Sequence, residues 1–184
     1  MRIIAGEARG RVIEAPSGNH TRPTLDRVRE NLFNMIQADV PGSRVLDLFA
    51  GSGALSLEAL SRGAAFAVLA DNDRNASDTQ KKNISLLHYQ ERTRQFRCDW
   101  STAVSELQKE KEIFDLVFLD PPYSMQDMKA VFSSLVPLVG PESMIVLEHE
   151  AGRPPAVPDS FCMIRDRAWG FCAVTIYRFA EQGA

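Results

Sequence analysis

The chain has 184 residues, 45% hydrophobic and 24% charged, a balance that suits one globular domain with a sizeable core and argues against disorder. The start, MRIIAGEARGR, lacks the apolar h-region of a signal peptide, and no stretch reaches the ~18 uninterrupted apolar residues that span a bilayer. A cytoplasmic protein without membrane contact is expected, and a net charge of −3 argues against a wholesale nucleic-acid coat.

The charge is unevenly spread. Residues 1–31 hold six arginines against four acids, so any RNA contact is expected at the N-terminal arm. No repeat, low-complexity tract or linker breaks the chain, which reads as one domain over 1–184: an extension over 1–40 and a core over 41–184. Within the extension, RIIA and RVIEA flank GEARG and read as a short hairpin. PSGNHTRP follows as a loop punctuated by Pro16, Gly18 and Pro23. Thr24 can cap a helix over about 25–38, where Val28, Leu32, Met35 and Ile36 recur at helical spacing, with Pro41 and Gly42 ending it.

From Arg44 onward, apolar runs of strand length alternate with helical patterns. RVLDLF precedes a helix over 53–62, FAVLAD one over 74–88, RTRQFRC one over 101–109, and IFDLVFLD one over 126–136, before SMIVLEHE. Such alternation builds a parallel α/β sheet from βαβ units. After Pro158, SFCMIRDRAW and FCAVTIYRF flank Gly170 with no helix between them, predicting a terminal antiparallel pair.

Three motifs fall at predicted strand ends. The first is Asp47-Leu48-Phe49-Ala50-Gly51-Ser52-Gly53, a strand running through a small-residue turn into a helix. Glycines there let a ligand approach the backbone closely, and ligands of open α/β sheets bind at this carboxyl edge. The dinucleotide fingerprint GxGxxG is incomplete, because Ser56 stands where its third glycine would be, and a ligand-free tight turn is the competing reading. The second is Asp71, in VLADND, placed to accept the hydroxyls of a ribose. Asp73 reads either as a weaker acceptor or as the N-cap of the next helix, and Asp99 in CDW either as an adenine-facing acceptor or as a solvated loop residue.

The third motif, Asp120-Pro121-Pro122-Tyr123, directly follows the strand IFDLVFL. The exocyclic amine of a base is a poor nucleophile, because its lone pair is delocalised into the ring. A carboxylate and a backbone carbonyl that accept its two hydrogens favour pyramidalisation, and paired prolines fix the backbone that carries the carbonyl. Tyr123 offers a ring for stacking, worth about 1–3 kcal/mol per base. A strand-ending turn with a packed tyrosine is the alternative.

Set after four successive strands, these motifs share one sheet edge, and the sequence resembles the class I S-adenosylmethionine-dependent methyltransferases that carry a DPPY motif. RIIAGEARGR, RPTLDRVRENLFNMI, DLFAGSGALSLEALSRGA and LDPPY together resemble the bacterial 16S ribosomal RNA guanine-N2 methyltransferases of the RsmD type, over nearly the whole chain. The resemblance implies a Rossmann-like, doubly wound sheet of five parallel strands plus the C-terminal antiparallel hairpin. It implies S-adenosylmethionine as cofactor and 16S ribosomal RNA as partner, free or in a small-subunit assembly particle. Asp47, Phe49, Ala50, Gly51, Ser52 and Gly53 would surround the cofactor's methionine end, with Asp71 and Asn72 at the ribose and Asp99 and Trp100 near the adenine. Asp120, Pro121, Pro122 and Tyr123 would form the guanine pocket. Arg9, Arg11, Arg22, Arg27 and Arg29 would face RNA or close the site, with solvated surface charge as the competing reading.

Glu7 departs from this pattern, standing where a neutral or basic residue is expected. Alternatives left open are an adenine-N6 or cytosine-N4 DNA methyltransferase, a glutamine-N5 protein methyltransferase, and a non-catalytic nucleotide-binding module. Cys98, Cys162 and Cys172 are odd in number and lack ligand spacing, so they are expected as buried small hydrophobes, with no disulfide and no metal site. His20, His88 and His149 carry no expected chemistry, the Glu148-His149-Glu150 cluster reads as strand-end polarity, and Trp169 as packing.

Overall fold

The structure, a computed structural model, describes residues 1–15 and 23–180. Five parallel strands, β1 (Arg44–Asp47), β2 (Phe66–Ala70), β3 (Thr93–Phe96), β4 (Phe114–Leu119) and β5 (Val139–Glu150), are joined by a hairpin of β6 (Phe161–Trp169) and β7 (Cys172–Phe179). The sheet order is β3-β2-β1-β4-β5-β7-β6, with β7 antiparallel to both neighbours. The chain therefore starts in the middle of the sheet, and the order reverses between β1 and β4. That reversal opens a crevice at the carboxyl edge, where ligands of such sheets bind.

Helices cover both faces, which is why the central strands read as near-continuous apolar runs. Successive residues of β1 divide between two cores: Val45 packs with Leu57, Leu60 and Ile84, whereas Leu46 packs with Val104, Leu107 and Phe132. The first core joins α1 (Pro23–Met35), α2 (Ala54–Ser61) and α3 (Arg74–Leu87) to the arm residues Ile3 and Ile13. The second joins α4 (Trp100–Lys109) and α5 (Lys129–Leu135) to β5 and β7, with Phe132 edge-on to Tyr177 at 5.2 Å between ring centroids.

Several boundaries move. Helix α1 begins at Pro23, a residue whose fixed φ suits a first helical turn, so Thr24 lies inside the helix and does not precede it. The same helix ends at Met35, well before Pro41 and Gly42. The segment predicted as a helix over 126–136 narrows to α5 followed by a 3-10 turn, Val136–Leu138, in which Pro137 cannot continue the helical hydrogen bonding. The N-terminal hairpin is reduced to one bridge, Arg2 to Val12, flanked by Ile3 N–H to Arg11 O at 2.9 Å. The predicted loop over 16–22, with His20 and Arg22, lies outside the described residues. Of the cysteines, Cys172 is buried, Cys98 is half-buried, and Cys162 is exposed because it sits on the sheet's edge strand β6, against expectation.

Candidate active site

At the carboxyl edge a cavity of about 940 Å³ is walled by the three motifs together. Asp47, Phe49, Ala50, Gly51 and Ser52 line it from the turn after β1, and Asp71 and Asn72 from the end of β2. Asp99 and Trp100 line it at the start of α4, and Asp120, Pro121, Pro122 and Tyr123 after β4.

The turn after β1 is held by side chains from the next βα unit. Gly51, at φ +52°, donates its N–H to Asp71 Oδ2 at 2.8 Å, and its carbonyl accepts from Gln80 Nε2 at 3.0 Å. Gln80 is in turn held by Gln95 Nε2 at 2.9 Å. Ser52 O accepts from Asn83 Nδ2 at 3.0 Å, and the same amide grips the backbone of Glu14 through both its oxygen and its nitrogen. Gly53 does not reach the cavity: at φ +81° it begins α2, and a Cβ there would stand 2.8 Å from Leu69 Cδ2. Glycine at this position allows close packing of helix on strand.

Asp73 is the N-cap of α3, accepting from the N–H groups of Asn75 and Ala76. Asp99 is not merely a solvated loop residue: it caps α4, accepting from Ser101 N–H at 2.9 Å, and lines the cavity.

Asp47 is the electrostatic centre of the floor. It is 1% exposed, one oxygen accepts from Ser56 Oγ at 2.9 Å, and Oδ1 has no hydrogen-bond partner. Burial raises its pKa to about 7, the Ser56 hydroxyl pulls it partly back, and the nearby Asp71 charge raises it further. A buried carboxylate that lines a cavity and keeps one oxygen orphaned suits a cationic or donor-rich ligand. Asp26, Asp71, Asp99, Asp120 and Glu148 also line the cavity, against Arg29 as the one basic side chain of its lining among the described residues. A sulfonium and an ammonium fit that donor set, a phosphate does not.

At the other end, Asp120 is open to the cavity yet ringed by protein. This enclosure raises its pKa well above the usual carboxylate range, and the Glu148 and Asp47 charges push it the same way. Pro121 is buried and Pro122 exposed. The Pro122 carbonyl is already used, accepting from Met125 N–H at 2.8 Å, which leaves the Pro121 carbonyl as the acceptor of the pair for a ligand. Tyr123 is 43% exposed on the cavity rim, open enough for its ring to be stacked upon.

Glu148 is the cavity residue that strand-end polarity fails to single out. It leaves β5 beside Asp120, and burial raises its proton affinity. Its neighbour His149 is turned the other way, buried with Nε2 2.8 Å from Thr175 Oγ1. The signal is the alternation itself: of three polar residues in a row at a carboxyl edge, one parity must face the ligand side.

The N-terminal arm is docked, not free. Buried Glu58 on α2 accepts from the N–H groups of Ile4 at 2.8 Å and Ala5 at 3.0 Å and from Arg62 Nε at 2.7 Å. Arg29, 5% exposed, donates to Arg2 O and to Asp26 at 3.0 Å and reaches the cavity wall beside Met1. Arg11 donates to Leu86 O at 2.7 Å near the C-terminus of α3, where a cation also suits the helix dipole. Arg9 and Arg27 are exposed, and Arg22 lies outside the described residues. Glu7 is explained: it pairs with Arg92 at 2.7 Å, which anchors the hairpin tip to the neighbouring loop. Among the described residues no cluster of His, Cys, Asp and Glu is arranged to hold a metal, and no helix is long and apolar enough to cross a membrane.

This strand order, with a small-residue turn after β1 and an acid after each of the next strands, defines the class I methyltransferase fold. The sequence model of the family described as conserved hypothetical protein 95 matches residues 1–178, and the chain belongs to that family, the RsmD family. Ribosomal RNA small subunit methyltransferase D of Escherichia coli K12 is 37% identical, with 100% of this chain and 92% of that protein aligned. The protein of the same name in Haemophilus influenzae is 32% identical over 97% and 93% of the two chains. A solved structure of a hypothetical protein from Thermus thermophilus superimposes with a TM-score of 0.79 at 31% identity, over 96% and 98% of the chains. A more distant methyltransferase-fold structure, solved with SAH bound, shares the architecture at TM-score 0.70 and 14% identity, over 86% and 50% of the chains.

Proposed function

We propose that this chain transfers the methyl group of S-adenosylmethionine to the exocyclic N2 amine of a guanine in 16S ribosomal RNA, in free RNA or an assembly particle, in the cytoplasm. The coarser part of this reading, methylation of ribosomal RNA, is supported by the names of full-length relatives at 32–37% identity. The observation that carries the chemistry is one shared cavity: Asp47 with the small-residue turn after β1 and the Asp120-Pro121-Pro122-Tyr123 segment line the same space.

Asp47 and the Gly51 turn would hold the cofactor's methionine end, Asp71 its ribose, and Asp99 its adenine. Bound there, S-adenosylmethionine supplies a methyl made electrophilic by the positive sulfur. Asp120 and the Pro121 carbonyl would accept the two hydrogens of the amine and turn its lone pair toward the methyl. As the N–C bond forms, the S–C pair stays on the departing sulfur, which leaves as the neutral thioether, and the surplus N2 proton passes to Asp120. Tyr123 stacks on the base, and Arg9 and Arg27 contact the surrounding phosphates. Rate enhancement then comes from positioning and from acceptors fixed in advance.

The test supplies labelled cofactor to the purified protein with undermodified 16S ribosomal RNA, duplex DNA and protein fractions, then maps the label. Label on guanine N2 of the RNA is expected; label confined to DNA or protein overturns the reading. Asp120→Ala is expected to lower turnover by about 10²–10³-fold or more, as loss of a fixed transition-state contact does, with cofactor affinity near wild type. Full turnover in that variant removes Asp120 from the chemistry.

A further inference from the structure

Glu148 belongs to no motif, yet it faces the reacting end of the cavity. Strands β4 and β5 are parallel neighbours with Leu119 opposite Leu147, so the next residues, Asp120 and Glu148, leave the sheet edge side by side, with backbones about 4.8 Å apart. Both line the cavity, together with Pro121 and Tyr123. On the far side β7 closes the strand, Val174 standing opposite Glu148 and the Cys172 thiol beside its carboxylate, and the cavity takes the remaining side.

We propose that Glu148 is a specificity-determining residue that accepts the ring N1–H of guanine while Asp120 accepts an N2 hydrogen, so that the two carboxylates read that base's paired donors. The inference rests on the proposed reaction and names which base the site selects. Ionised carboxylates accept hydrogen bonds and donate none. Guanine presents N1–H and the N2 amine as adjacent donors, whereas adenine and cytosine place a bare ring nitrogen beside their amine. Two acceptors in a row are complementary to the first edge and leave a lone pair facing a carboxylate for the other two. The Glu148 charge raises the proton affinity of Asp120 when the cavity is empty, and donors arriving on both carboxylates favour their ionised, accepting form.

The test uses an RNA fragment carrying the mapped target nucleotide, made with guanosine or with 2-aminopurine at that position. The analogue keeps the N2 amine but has a bare ring nitrogen in place of N1–H. Wild type is expected to prefer guanosine in kcat/KM by about 10–100-fold, the range for leaving one buried polar group mispaired. In Glu148→Gln the amide can donate to the bare nitrogen, and the preference is expected to shrink about tenfold, a change that loosened folding would not produce. An unchanged ratio in the variant overturns the proposal. Equal rates on both fragments by wild type overturn it too, which keeps it decidable if the variant does not fold. Wild-type protein inert on the guanosine fragment but active on DNA or protein overturns the function itself, and is told apart by that activity.

Discussion

Along the carboxyl edge of the sheet, polar residues from four strand ends converge on one cavity, while in the N-terminal arm equally polar residues turn inward and bind the protein itself. Asp47, Asp71, Asp99 and Asp120 face a common space, and Asp47 keeps an oxygen unpartnered. Arg11 and Arg29 instead serve the carbonyls of Leu86 and Arg2, and Glu7 holds Arg92. Position at a strand end is fixed by topology, so the neighbourhood of each aspartate follows from chain order. An arginine on a docked arm is placed by contacts across the fold, and its partner can be 75 residues away.

The sharpest way to break this contrast is Gly6→Ala. Gly6 sits at φ +84°, and a Cβ there would fall 1.8 Å from Ser61 O and 2.2 Å from Ser61 C, both backbone atoms. Loss of about 2–4 kcal/mol is expected from strain and undocking, read from the denaturation midpoint. A wild-type midpoint would mean that the arm's docking is dispensable.

A second test addresses the edge. The pKa of Asp47 is raised from 3.8 to about 7 in the folded protein, so its favourable contribution is complete below about pH 4 and is lost as pH rises through 7. Ligand-free wild type is therefore expected to lose on the order of 2–4 kcal/mol between pH 4 and pH 8 on this account. Asp47→Asn flattens that slope and weakens cofactor binding. Thermal midpoints at the two pH values check the first effect and titration calorimetry the second; parallel slopes in the two proteins would remove Asp47 as the cause.

The smallest expected effect concerns the exposed arginines. Replacing Arg9 and Arg27 by alanine is expected to weaken RNA binding by about 3–10-fold and to make the salt dependence shallower by about one unit per lost phosphate contact. Cofactor affinity should not move. An unchanged salt slope would assign both residues to ordinary surface charge.

Much of this contrast is legible from sequence, for a physical reason. Alternating runs from Arg44 to Glu150 mark every strand of the parallel sheet and hence which turns share an edge. Gly53 shows what the motif leaves open: a glycine needed for close packing and one needed for ligand approach look identical in sequence, and the 2.8 Å approach to Leu69 appears only in the fold. Glu148 reads only as strand-end polarity because its place beside Asp120 depends on the register between β4 and β5, which hydrophobic pattern alone leaves open. The docking of the arm is invisible because Glu58, an acid within a helical pattern, reads as a solvated residue until its backbone partners more than 50 residues away are known.

Asn83 ties the two regions together. One amide holds both backbone groups of Glu14 on the arm and the carbonyl of Ser52 in the turn. Steadying either end of that link steadies the other, because a side chain with three fixed partners has no rotamer left that serves only one of them. The arm and the turn that floors the cavity are therefore fixed to one another through one side chain.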